Sequence, residues 1–356
     1  MASLELERIR TIVVTGGAGF IGSHVVDDLL KACPNARLRV VDAFTYAADV
    51  SNLDAAFRTG RVALTKGDIG NLDLMSGLLR DADLVVHAAG ESHVERSFAA
   101  PERFSLSNAI GTQVLMEAMA RQKVPLMVHV SSAEVYGLPG EQPVSELSPL
   151  DPQNPLAASK AAAEMLIAGL GRTRGLDIRI LRPVNVIGTR QNTEKLLPRF
   201  LELAAVGRPL PVHGDGGQRR SFLAIPDFCS ALRTVVTRGA ANGTYNLAGP
   251  DRHSVAEVAR MVLDTVPDTV AGVIFVEGRC ADAGHPPVDA SAARALGWEA
   301  GATLRQMLPQ LAAWYGARIP DFRSRRVLRH VPDLAPGAGA VARPEGSGLF
   351  RSLERH

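Results

Sequence analysis

Ten residues near the start of the chain, Thr15-Gly-Gly-Ala-Gly-Phe-Ile-Gly-Ser-His24, have the types and spacing to hold a diphosphate. Gly16 or Gly17 supplies the positive φ of a tight turn. Gly19 leaves the backbone open to a pyrophosphate, and Gly22 lets a helix pack close to the strand before it. The N–H groups at the start of that helix, with the positive end of its dipole, would face the phosphates. About twenty residues beyond the last glycine, Asp42 closes the run Arg37-Leu-Arg-Val-Val-Asp42, where a carboxylate bonds the ribose hydroxyls of an adenosine. Its charge repels a 2′-phosphate, so NAD is expected ahead of NADP.

For these groups to meet, the residues around them must alternate strand and helix. Thr11-Ile-Val-Val14 reads as the first strand and Val25-Val-Asp-Asp-Leu-Leu30 as part of the helix after the glycines. Leu84–Ala88 is a continuous apolar strand, as expected where both faces of a parallel sheet are covered, and Leu126–Ser131 and Asp177–Arg182 read as further strands. Helical stretches such as Thr112–Ala120 and Ser159–Ile167 separate them. The alternation predicts an α/β fold, a doubly wound Rossmann parallel sheet over 10–185, with a smaller C-terminal lobe over 186–318 interleaved with it. In that lobe Ser254 and Glu257 have the spacing of a helix capping box. Residues 319–356 are arginine-rich, then rich in Pro, Gly and Ala, and read as a disordered tail.

Composition narrows the partners. With 356 residues, 46% hydrophobic and a formal charge of +2, the chain gives no reason to expect nucleic acid or a membrane surface. Cys33, Cys229 and Cys280 are few, spread out and odd in number, which suits a cytoplasmic protein with buried thiols. The histidines have no metal-ligand spacing, so no metal is expected. No apolar run approaches the roughly 20 residues of a membrane span, and Met1–Glu7 lacks the features of a signal peptide.

Read together, several stretches resemble the extended short-chain dehydrogenases that modify nucleotide sugars, and among them the dTDP-glucose 4,6-dehydratases. The matching stretches are Val41–Ala47, Gly67-Asp-Ile69, His87–Ser97, Ser131–Gly137, Leu156–Lys160, Arg182–Asn185, Thr193–Pro198 and Pro209–Gly216. They run in family order from about residue 10 to 315. The resemblance implies that Phe20, Ile21, Asp42, Thr45, Asp68, Ile69, Ala88 and Lys160 hold NAD. It assigns Ser92, Asn185, Lys195, Arg220 and Asn246 to the sugar or its diphosphate, where cations and amide donors make strong charge-assisted bonds. His93 reads as a packed, hydrogen-bonded histidine. The resemblance also implies a homodimer through the helices containing Thr112–Ala120 and Ser159–Ile167.

The same resemblance exposes departures. The family uses a Tyr-x-x-x-Lys pair, the lysine lowering the pKa of a phenol that takes the hydroxyl proton during hydride transfer. Here Lys160 is present, but Leu156 stands in place of the tyrosine. A Thr-Asp-Glu triplet matches Ser132-Ala133-Glu134, so the hydroxyl and the glutamate persist while the acid for the leaving hydroxyl is gone. Near His285 the family's arginine is missing, with Arg279 close by, and His213 replaces an aromatic beside the base. The resulting expectation is a nucleotide-sugar epimerase/dehydratase with an altered site. Its catalytic groups would be Glu134, Ser132 and Lys160. A uronic-acid decarboxylase or epimerase, and an inactive NAD- or sugar-binding subunit, are the alternatives.

Overall fold

The structure is a computed structural model that describes residues 5–318 apart from Pro139, Glu141, Pro267, 279–283 and His285. The expected disordered tail and the substitute role of Arg279 fall outside those residues.

Seven strands form the central sheet. They are β1 (Thr11–Thr15), β2 (Arg37–Asp42), β3 (Val62–Lys66), β4 (Leu84–His87), β5 (Met127–Val130), β6 (Ile178–Pro183) and a later strand, Thr244–Leu247. Their order is Thr244–Leu247, β6, β5, β4, β1, β2, β3, and every pairing is parallel. All residues of β4, β5 and β6 are buried, as expected for strands sandwiched between helices. Strand order reverses between β1 and β4, and a crevice at the carboxyl ends of a doubly wound sheet opens at that switch point. The helix Phe20–Ala32 follows β1 after the four-residue turn Gly16–Gly19.

The second lobe is built on β7 (Asn185–Ile187), β8 (Leu210–His213), β9 (Arg219–Ala224), β11 (Arg252–Ser254) and β12 (Val273–Val276), while the central-sheet strand Thr244–Leu247 is β10 in chain order. Of these, β11, β9 and β7 form a small sheet, and β12 pairs with β8. They pack with helices Leu196–Ala205, Val255–Thr265 and Leu304–Gly316 around a second core containing Phe200, Leu201, Val258 and Leu308. The Ser254–Glu257 capping box forms with both of its hydrogen bonds. The chain crosses back between lobes: helix Ile225–Arg238 and β10 follow lobe residues yet complete the core of the central sheet.

Candidate active site

The glycine turn has the shape that its spacing predicts. Gly16 sits at φ +68°, and its N–H donates to Val41 C=O at 2.8 Å. A Cβ on Gly22 would stand 2.2 Å from Gly16 O, so the turn and the helix start approach as only glycine permits. The N-cap of Phe20–Ala32 is Gly19, with no side-chain cap bond, so the first N–H groups of a 13-residue helix remain for an anion. At the end of β2, Asp42 accepts from the Ala18 N–H at 3.0 Å and the Phe44 N–H at 2.8 Å. Burial raises its pKa, against these two bonds.

These groups border a cavity of about 1080 Å³. Gly16, Gly19, Phe20, Ile21, Gly22, Asp42, Thr45, Asp68, Ile69, Ala88 and Lys160 all line it. So do Ser132, Glu134, Ser92, Asn185 and Lys195, and so does Leu156. One continuous crevice therefore joins the glycine turn to the residues expected to meet a sugar. The fit to a dinucleotide rests on the glycine cradle and the uncapped helix start, and Asp42 ends the same wall.

Glu134 is presented by a short 3₁₀ turn, Ala133–Tyr136, whose start is capped by Ser132: Ser132 Oγ accepts from the Glu134 N–H at 3.1 Å. That bond leaves the serine's own proton to donate. Glu134 Oε2 is buried and has no hydrogen-bond partner among the described residues, an expensive arrangement for a carboxylate unless a ligand group meets it. Ala133 is 2% exposed and packs into the main core, so no acid is offered from that position.

Across the cavity, Lys195 Nζ donates to Ser92 C=O. Burial lowers its pKa and the charge of Glu134 opposes the shift, which puts cation and carboxylate in one field. Arg220 acts on the same ammonium but stands off the cavity wall. Asn185 lines the wall and donates to Ser221 C=O at 3.3 Å. His93 caps the helix Val94–Ala99, its Nδ1 accepting from the Arg96 N–H at 3.4 Å, with Nε2 3.8 Å from Glu194.

Asn246 requires a correction. It is fully buried, off the cavity wall, and its amide is spent on protein partners. Its Oδ1 accepts from Tyr136 Oη at 2.7 Å, and its Nδ2 donates to the carbonyls of Asp289 at 3.1 Å and Val144 at 3.4 Å. It braces the Glu134 turn from behind instead of meeting a diphosphate. Arg182 joins that brace, donating to Tyr136 Oη at 2.6 Å and through Nε and Nη2 to the buried carboxylate of Glu164. Ser131 Oγ donates to the same carboxylate.

Three groups went unread in the sequence. Glu91 lines the cavity, and burial raises its carboxyl pKa against the nearby charges of Arg103 and Arg96. Asn108 ties the wall together, accepting from the Glu91 N–H at 2.8 Å and donating to Ser159 Oγ at 2.8 Å. His87 is fixed as a neutral tautomer. Thr112 Oγ1 spends its proton on Asn108 C=O at 2.6 Å and so must accept from His87 Nε2 at 2.9 Å, leaving Nδ1 to accept from Thr15 Oγ1 at 2.8 Å. Burial, then the charge of Lys160, pushes its pKa down to about 3. Glu91 lies within His87–Ser97, but only the fold gives it a place on the wall.

Comparison with known proteins decides the family. The model of the NAD-dependent epimerase/dehydratase family matches residues 12–248. The chain belongs to that family. Membership carries the enzyme type and its dependence on NAD, as the sequence implied. The chain is 35% identical over 312 residues to the dTDP-glucose 4,6-dehydratase of an Actinoplanes species, covering 86% of this chain and 98% of that one. It is 36% identical over 313 residues to a trifunctional UDP-glucose 4,6-dehydratase, 3,5-epimerase and reductase of Arabidopsis thaliana; the match takes in 86% of this chain but spans only about half, 47%, of that longer enzyme. Its fold matches that of the dTDP-glucose 4,6-dehydratase of Streptomyces venezuelae, solved with NAD and TYD bound. The TM-score is 0.83 at 34% identity, covering 87% of this chain and 98% of that one. A UDP-glucose 4-epimerase from Thermotoga maritima, solved with UDP-glucose, has a TM-score of 0.81 at 25% identity, over 87% and 99% of the two chains.

Among the described residues no helix is long and apolar enough to cross a membrane.

If Asp42 reads the ribose, calorimetry will show NAD binding at least about tenfold tighter than NADP, a difference of roughly 1.4 kcal/mol. Asp42→Asn should narrow that ratio. Equal affinities in the unaltered protein would remove Asp42 from this role.

Proposed function

We propose that the protein modifies a nucleotide-diphosphate sugar, dTDP- or UDP-linked, with Glu134 as the acid/base at sugar carbon 5. The observation that carries this reading is the unpartnered, buried Oε2 of Glu134 on the wall of the same cavity as the glycine turn. Bound NAD would take a hydride from the sugar, which acidifies the neighbouring C–H. The residues of the chain then handle protons and charge. Lys195 supplies a cation for the diphosphate, Arg220 adds to the same positive field from off the wall, Ser92 and Asn185 orient the sugar, and Ser132 donates to a sugar oxygen.

Standard 4,6-dehydration needs an acid for the departing hydroxyl, and Ala133 offers none. That favours epimerisation at carbon 5, elimination of a better leaving group, or loss of carbon dioxide from a uronic acid. Leu156 favours a different second reading, a binding subunit that no longer turns over. Mixing the NAD-loaded protein with dTDP- and UDP-sugars, while following reduced-nicotinamide absorbance, separates the two. A transient signal with any sugar supports the enzyme; calorimetric binding of a sugar with no signal supports the subunit.

Pairing of two chains belongs to the same proposal. Phe98 is 53% and Met165 68% exposed; Met165 lies on the helix Pro155–Arg174 and Phe98 on the helix Val94–Ala99, which packs against it, and a second copy would cover both. Phe98→Glu with Met165→Glu should halve the mass seen by sedimentation. An unaltered protein that sediments as a monomer would refute the pairing.

A further inference from the structure

We infer that Lys160 itself is the proton acceptor for the sugar hydroxyl, directly or through the Ser132 hydroxyl, in place of the phenol that Leu156 removes. The inference rests on the enzymatic reading above and names the group that completes it.

Its basis is the arrangement around the amine. Leu156 and Lys160 lie one turn apart near the start of the helix Pro155–Arg174, and both line the cavity. Leu156 is apolar and 6% exposed, so the helix brings no ionisable group other than Lys160 to that wall. Lys160 Nζ donates to Val130 C=O at 3.0 Å, two residues before Ser132. The groups facing it from neighbouring elements do not hold its proton. From β4, His87 is neutral and bonded to two threonines. From β5, His129 is buried, its ring 4.9 Å from that of His87, with burial and the charge of Lys160 holding its pKa well below the usual value. On its own helix, Glu164 is engaged by Arg182 and Ser131. Burial, opposed only by Glu164, brings the amine down to about 8, so at neutral to mildly basic pH a substantial fraction carries the lone pair a base needs.

The step balances. The hydroxyl O–H bond breaks and its proton ends on the Lys160 nitrogen, which becomes an ammonium. The hydride leaves the same carbon for the nicotinamide of bound NAD, and the carbon becomes a carbonyl. Since the neutral amine is the active form, the rate of this first oxidation rises with pH through about 8 and levels off above it.

The chain has five lysines, at 31, 66, 123, 160 and 195, so lysine labelled with ¹³C at Cε gives a spectrum assignable with one variant per site. In the NAD-free protein the Lys160 signal is expected to titrate near 8, against the ordinary lysine value of about 10.4. Lys160→Arg keeps a cation that cannot give up its proton. Measured at saturating NAD, it should lose roughly 10² to 10⁴ in the first oxidation. In Leu156→Tyr the pH dependence should part from the Lys160 titration, because a phenol then takes the proton. Titration of Lys160 above about 10, or an unimpaired Lys160→Arg, overturns the inference while the enzymatic reading stands. If no sugar is oxidised by either the unaltered protein or Leu156→Tyr, the enzymatic reading falls and takes the inference with it.

Discussion

Glu134→Gln should abolish product formation, with a loss of roughly 10² to 10⁴ in rate, or about 3 to 5 kcal/mol of barrier. Glutamine keeps the length of the side chain and leaves untouched the backbone N–H that Ser132 Oγ caps. What it removes is the ability to take a proton. Because Oε2 has no protein partner among the described residues, the substitution breaks no internal hydrogen bond of that oxygen, and the turn Ala133–Tyr136 should hold. NAD affinity, set at the other end of the crevice by the glycine turn and Asp42, should stay within about twofold in calorimetry. Full activity in the variant would show that the carboxylate only fills space.

The largest effect on stability is expected at Arg182→Met. The guanidinium and the Glu164 carboxylate are 8% and 4% exposed, and the arginine also donates to Tyr136 Oη and Glu146 C=O. Removing one partner strands a buried carboxylate, which destabilises by about 3 to 5 kcal/mol. The brace behind Glu134 runs through the same atoms, since Tyr136 passes its proton on to Asn246, so whatever protein folds should also have a misaligned site. Pairing Arg182→Met with Glu164→Leu removes both charges and should recover most of the loss in a urea denaturation series. A single variant within about 1 kcal/mol of the parent would mean that the pair does not hold this region.

How far the sequence carries differs from place to place. The glycine turn is local: its φ values, its close approach to the helix and the carboxylate after β2 all follow from residue types at short spacing. The buried strands β4 and β5 are legible for the same reason, as short, largely apolar runs. Thr244–Leu247 is not, because a short strand with an asparagine in it becomes one only by pairing with β6. Asn246 shows the limit of motif reasoning. A motif gives a residue type at a position, but the partners that consume the Asn246 amide come from Tyr136, Val144 and Asp289, far off in sequence. Glu91, Asn108 and His87 escaped notice because their meaning lies in who faces them. Leu156 works the other way: the missing phenol is plain in the sequence, whereas the lowered pKa of Lys160 beside it depends on burial that only the folded chain supplies.

The central claim, an NAD-dependent enzyme that works on a nucleotide sugar through Glu134, is tested most directly by mass spectrometry of the sugars themselves. Purified protein with NAD is incubated in deuterated water with dTDP- and UDP-sugars, uronic acids included, alongside Glu134→Gln. The expected result is one sugar that takes up a single deuterium at carbon 5, or loses water or carbon dioxide, with the change absent in the variant. Every sugar returned unaltered from a protein that binds NAD, or the same product formed by Glu134→Gln, would contradict it.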